Sequence, residues 1–133
     1  MTTATNSNQP AGETSAEAQA LAERYVDVWH VTGPAARRAA IAALWAPNGV
    51  HYVRTLEARG YDALEARVTG SHEKNVQIAG NRFRALAAVA LRNVVTFQWE
   101  MLTAAGEADA TGFEILLLDE DGKIVTDYQF VTG

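Results

Sequence analysis

NVVTFQWEML at residues 93–102 alternates polar positions with β-branched and aromatic ones, a composition that fits a pleated, half-buried strand. ADATGFEILLL at 108–118 reads likewise. IVTDYQFV at 124–131 follows across Asp119-Glu120-Asp121-Gly122, turn chemistry that predicts a hairpin. Arg82–Leu91 is ambiguous, because its alanines favour a helix while the strands after it favour another strand.

Working outward toward the N-terminus, the periodicity changes from two to about three and a half. Leu21, Tyr25, Val28 and Trp29 share one face of a first helix, with Glu23, Arg24 and Asp27 opposite. Thr14 followed by Glu17 fits a capping box and predicts that this helix starts at residue 14 or 15. Thr32-Gly33-Pro34 stops it, and Pro34 suits the first turn of a second helix over 35–45. Ala46-Pro47-Asn48-Gly49 predicts a turn, and Val50–Val53 a short strand. After Gly60, the stripe Tyr61, Leu64, Val68, His72 and Val76 predicts a third helix, with Gly70 inside it. Three helices followed by a run of antiparallel strands is an α+β pattern. Residues 1–14 are small and polar and read as a disordered tail, leaving one domain over 15–133.

Composition bounds the chemistry. The chain has 133 residues, 48% hydrophobic and 20% charged, with no cysteine and a formal net charge of −5. The absence of cysteine excludes disulfides, thiolate metal sites and a thiol nucleophile. The acidic balance argues against nucleic acid, whose phosphates need clustered Lys and Arg. No apolar run approaches the ~18 residues of a membrane span, and the first residues lack a secretory pattern. A cytoplasmic location is the expectation. No glycine-rich phosphate loop, HExxH pair or GxSxG elbow is present. His30, His51 and His72 fall on different elements, so neither a metal site nor a cofactor is expected.

LWAPNGVHYV after two helices, RGYDALEARV opening a third, and strands ending in LLLDEDGKIVTDYQF together resemble the nuclear-transport-factor-2-like superfamily. The branch they look most like is the SnoaL-like group, which includes polyketide cyclases. The resemblance implies a cone: a strongly curved antiparallel β-sheet wrapped around three helices, with a cystatin-like outline. It also implies an apolar cavity and pairing as a homodimer through the sheet. Different branches use that cavity for isomerisation, cyclisation, hydrolysis, dehydration or plain binding, so the fold alone assigns no reaction. The general-base Asp of ketosteroid isomerases matches Val53 here, which cannot accept a proton. Their protonated Asp matches Glu114. The water-activating Asp of limonene-epoxide-hydrolase-like members matches Gln129, and their Arg-x-Asp falls near Gln98 and Glu100.

The sharpest candidates for catalysis are therefore Asp127 and Glu114. Asp127 lies two residues from Gln129 and so on the same strand face. Burial in an apolar cavity would raise both acids toward neutral pH, whereas a solvated position at the cone mouth would leave them ordinary. His72, on the inner stripe of the third helix, is a third catalytic candidate; the competing reading is a satisfied packing residue. His51 and Tyr52 alternate, so only one can face inward. Glu100 joins the acids if the polar face of 93–102 looks inward, the arrangement the epoxide-hydrolase comparison favours. Otherwise Phe97 and Trp99 line the cavity. Tyr25, Trp29, Trp45 and Tyr52, with Val53, Glu100, Gln129 and Val131, form the expected ligand-binding set. Core packing is the alternative for the aromatics. The expected function is binding of a small apolar or ring-containing molecule, with cofactor-independent acid–base chemistry if the domain is catalytic. A non-catalytic ligand-binding or dimeric interaction module is the alternative.

Overall fold

The computed structural model describes the backbone of residues 11–133 and the side chains from residue 16 onward. Helix α1 spans Ala11–Val28, and α2 spans Pro34–Leu44. Strands β1 (Trp45–Val53) and β2 (Leu56–Arg59) follow, then α3 (Gly60–Ser71), which runs on into a π-helical segment over His72–Ile78. The rest is strand: β3 (Arg82–Leu91), β4 (Val94–Leu102), β5 (Ala108–Leu118) and β6 (Ile124–Val131). The α+β reading holds. The α1 backbone begins ahead of the Thr14 cap expected from sequence, so residues 11–14 are helical rather than tail; the remainder of that expected tail lies outside the described residues.

Leu21, Tyr25, Val28 and Trp29 are all buried, so the apolar stripe of α1 faces the sheet. Gly33 permits the sharp entry to α2, with φ at 98°, a region that L side chains rarely adopt. The ambiguous segment 82–91 is a strand because tertiary pairing overrides alanine's local preference: β3 lies along β4 from Arg82↔Leu102 to Leu91↔Val94.

The six strands form one sheet in the order β2-β1-β6-β5-β4-β3. Pairing is antiparallel throughout except between β1 and β6, which run parallel, a departure from the all-antiparallel sheet expected. The expected turn at Ala46–Gly49 lies inside β1. Four residues of β1 between Trp45 and Val50 pass one residue of β6, between Ile124 and Thr126, so that stretch is a bulge. Gly49 is required there, since a Cβ would come within 2.8 Å of the Trp45 ring and 2.9 Å of the Ile124 carbonyl oxygen. The third helix changes character at His72. Ala79 N–H bonds Lys74 O at 3.2 Å, an i→i−5 closure.

One sheet face packs on the helices and carries Val95, Phe97 and Trp99 of β4 and Leu116 of β5, all buried. The other face presents Phe130, opposite Phe113, and Tyr128, which stacks on Tyr52 with ring centroids 5.4 Å apart. Among the described residues no helix is long and apolar enough to cross a membrane.

Candidate active site

Alternation along β1, β5 and β6 aims His51, Glu114 and Asp127 at the helices, and Tyr25 of α1 meets them from above. The Tyr25 hydroxyl oxygen lies 2.8 Å from Glu114 Oε1 and 2.5 Å from Asp127 Oδ2. His51 Nδ1 is 2.7 Å from the same Asp127 oxygen. Trp99 Nε1–H donates to Glu114 Oε2 at 2.9 Å. Glu114 and Asp127 are both 0% exposed. Gly112 makes the Trp99 contact possible, because the indole lies where its Cβ would be. Arg67 of α3 closes the array: its Nε donates to His51 Nε2 at 3.3 Å and its Nη2 to Gln129 Oε1 at 3.0 Å. The guanidinium also lies 5.0 Å from the Trp29 ring centroid.

Proton counting fixes the ionisation of this array. One hydroxyl proton cannot serve two carboxylates, so one acid must itself carry a proton. Burial pushes Glu114 well above the usual carboxylate range, and the neighbouring charge of Asp127 pushes it further. Burial also raises Asp127, but hydrogen bonds from Glu114 and Tyr25 and the charge of Arg67 restrain it to about 6. Burial lowers His51 to about 4, with Arg67's charge acting the same way and Glu114's opposing it. At neutral pH the consistent assignment is Glu114 protonated, Asp127 ionised and His51 neutral. Glu114 then donates to the Tyr25 oxygen, Tyr25 donates to Asp127, and the Nδ1–H tautomer of His51 donates to Asp127 while its Nε2 accepts from Arg67. The His51–Asp127 contact is thus a hydrogen bond to a neutral imidazole rather than an ion pair. One positive charge, Arg67, balances one negative, Asp127. Asp127 Oδ1 has no hydrogen-bond partner among the described residues, and an additional proton would be accommodated there.

A cavity of about 450 Å³ opens above this array, within the usual range for small-molecule sites. Tyr25, Trp29, Arg67, Trp99, Gln129 and Val131 are among its lining residues. Glu114 and Asp127 lie behind Tyr25 and do not line it themselves.

Several expected site residues fall elsewhere. Glu100 points to the outer face and pairs with Arg84 at 2.7 Å, because the aromatic face of β4 takes the inside. Tyr52 is also on the outer face, and its partner in alternation, His51, takes the inward place. Val53 and Trp45 are buried core and do not line the cavity; Trp45 packs against the Tyr25 and His51 rings. His72 is fully buried, but its Nδ1 bonds Trp29 O at 3.0 Å, which ties α3 to α1 and brings it to neither acid. Sequence reasoning passed over Arg67, although Leu64, Arg67, Val68 and Ser71 follow the i, i+3, i+4, i+7 spacing that places it on the inner stripe.

The family model of the SnoaL-like domain matches residues 16–126. Among solved structures, a candidate isomerase of the SnoaL-like family from Agrobacterium tumefaciens superposes with a TM-score of 0.80 at 21% identity, covering 88% of this chain and 99% of that one. An NTF2-like protein of unknown function from Exiguobacterium gives 0.66 at 21% identity over 84% and 98%. A candidate polyketide cyclase from Sinorhizobium meliloti gives 0.65 at 13% identity over 86% and 97%. At these identities the likeness is one of fold. No curated protein matches the sequence.

His51, Glu114 and Asp127 each offer a ligand atom, and these atoms lie within 4.8 Å of one another. Yet the Asp127 oxygen nearest His51 already receives the Tyr25 and His51 hydrogen bonds, and Glu114 binds Tyr25 and Trp99. A metal ion would have to displace that set and draw the proton off Glu114, so the donor arrangement does not fit one.

Proposed function

The chain belongs to the SnoaL-like domain family, and from that premise we propose that it binds a small organic molecule in the cavity and moves a proton on it without a cofactor. The observation that carries this reading is Tyr25: it lines the cavity while its hydroxyl touches both buried acids. Asp127, near 6, is matched to accepting a proton at neutral pH. The ligand's proton passes to the free lone pair of the Tyr25 oxygen as Tyr25's own proton moves to Asp127. The negative charge then resides on the ligand, beside Arg67, and both acids are neutral. Reversal of the same relay returns the proton. Glu114 keeps its proton throughout and orients Tyr25.

The test is exchange of α-protons for deuterium in D2O, followed by NMR across a panel of ring-containing carbonyl compounds. Exchange is expected with the wild type and should fall at least ~100-fold in Asp127→Asn. Exchange undiminished in the variant would remove Asp127 from the chemistry. Saturable binding with no exchange by the wild type would leave a binding module, the reading favoured by the seclusion of both acids behind Tyr25.

We further propose that two copies pair through the outer sheet face, where Tyr128 is 42% and Phe130 51% exposed. Supporting this are the apolar neighbours Phe113 and Ile115, which pair with them across β5 and β6.

A further inference from the structure

The charges around the cavity run against those of the molecule. The chain carries a formal net charge of −5, yet the charged residues lining the cavity are Arg54, Arg67 and Lys74, with no acid among the described lining residues. Arg54 and Lys74 form no ion pair with any described residue. Arg67 is internally balanced by Asp127, but only part of its hydrogen-bonding edge is used. Nε goes to His51 and Nη2 to Gln129 Oε1, leaving Nη1 without a protein acceptor among the described residues. Gln129 accepts through Oε1 alone, so its amide N–H groups are likewise uncommitted. Both side chains line the same cavity.

The Arg67–Gln129 bond holds both side chains in fixed orientation, which lowers the ordering cost of a ligand that uses their free donors. Arg54 stands next to this pair, since it follows Val53, whose register partner on β6 is Gln129. Burial lowers the pKa of Arg67, and the nearby charge of Arg54 acts in the same direction. Two arginines and an amide donor lining one cavity, with no acid among its described lining residues, form a site for anionic oxygens. Much of the rest of the lining is apolar and aromatic, including Trp29, Phe83, Trp99 and Met101, with Ser71, Lys74 and Asn75 on the α3 side.

We propose that the ligand is a small ring-containing carboxylate, its carboxylate oxygens held by Arg67 Nη1 and the Gln129 amide beside the Arg54 charge, its ring against Trp29 and Trp99. This assignment rests on the cavity being a ligand site, the reading given under Proposed function, and adds the class of ligand. A carboxylate is favoured over a phosphate ester because the Arg67–Gln129 bond holds the two uncommitted donor groups side by side, a pair that matches two carboxylate oxygens. A phosphate would bring a second negative charge and a third oxygen, which this donor pair does not match.

Calorimetric titration of the full chain with 2-naphthoate, 2-naphthamide and 2-naphthyl phosphate tests this. The naphthoate is expected to bind at least ~10-fold more tightly than the naphthamide, a preference that weakens with added salt. Gln129→Glu should abolish the preference, because it places a like charge at the carboxylate. Arg54→Ala, at the solvated mouth, should reduce it by a smaller factor. Equal or tighter binding of the naphthamide would overturn the carboxylate assignment and leave the cavity a ligand site. Tighter binding of the phosphate would overturn it in favour of phosphate esters. If no probe binds at millimolar concentration, both the assignment and the ligand-site reading fall.

Discussion

Replacing Tyr25 by Phe removes one oxygen and tests whether that oxygen joins the two acids. The ring is 2% exposed and packs edge-on to Phe97 at 5.6 Å between centroids, contacts that Phe retains. What is lost is the hydrogen bond to ionised Asp127, about 1.5–3 kcal/mol, and the one accepted from Glu114, about 0.5–1.5 kcal/mol. Both former partners stay buried, so little of this is recovered from water. A loss of about 3 kcal/mol is expected at pH 7, lowering Tm by roughly 10 °C for a domain of this size. Urea unfolding measures it, with an unchanged m value showing that the native fold persists. At pH 4, below the value of about 6 for Asp127, that acid is protonated and the lost bond is between neutral groups. The cost there should shrink to about 1–2 kcal/mol. In an Asp127→Asn background the Tyr25→Phe cost should shrink in the same way at pH 7, giving a coupling energy of about 1–2 kcal/mol. A loss below about 1 kcal/mol at pH 7, or one that does not depend on pH, would refute the shared-proton arrangement.

Two other perturbations bear on the same interior and on the outer sheet. Glu114→Gln should be nearly silent at about pH 4 and below, within about 1 kcal/mol, where the carboxyl is protonated in the folded and unfolded chain alike and an amide reproduces the donor to Tyr25 and the acceptor for Trp99. A carboxyl whose folded value is raised contributes stability that is present at low pH and lost as pH rises toward that value. The variant, lacking that loss, should gain on the wild type as pH rises from about 4 to 7 in urea titrations, and parallel pH curves would count against a protonated Glu114. Phe130→Lys places a charge on the exposed sheet face and should convert a dimer to a monomer in light scattering at micromolar concentration. A wild-type monomer would dispose of sheet pairing.

The helices and the strand-rich second half were legible because periodicity and turn chemistry agree there. Asp127 and Glu114 were singled out through the resemblance, Glu114 by its match to a protonated Asp and Asp127 by lying two residues from Gln129 on one strand face. What sequence could not decide was which face of each strand looks inward. At β4 either face could look inward, the epoxide-hydrolase comparison favouring the polar one with Gln98 and Glu100, and Phe97 and Trp99 took that place. The sheet carries apolar residues on both faces, Phe113, Tyr128 and Phe130 among them on the outside, so alternation alone cannot identify the core side. The same ambiguity hid the choice between His51 and Tyr52. Arg67 was hidden for another reason: a charged residue on a helix usually belongs to its solvated face, and only its partners His51, Gln129 and Trp29 explain its place inside.

The parallel seam between β1 and β6 has a consequence for how the molecule assembles. β6 is the last strand in chain order but sits third across the sheet, joining the β2–β1 ribbon to the β5–β4–β3 meander. The meander can zip by local hairpins, whereas His51↔Asp127 bridges residues 76 apart in sequence. Loop-closure entropy puts such contacts late in folding. As the chain emerges during synthesis, the helices and the first hairpin must wait, with their apolar faces uncovered, for residues 124–131. Asp127 arrives with that closing strand, so the proton-sharing array forms only as the sheet becomes continuous.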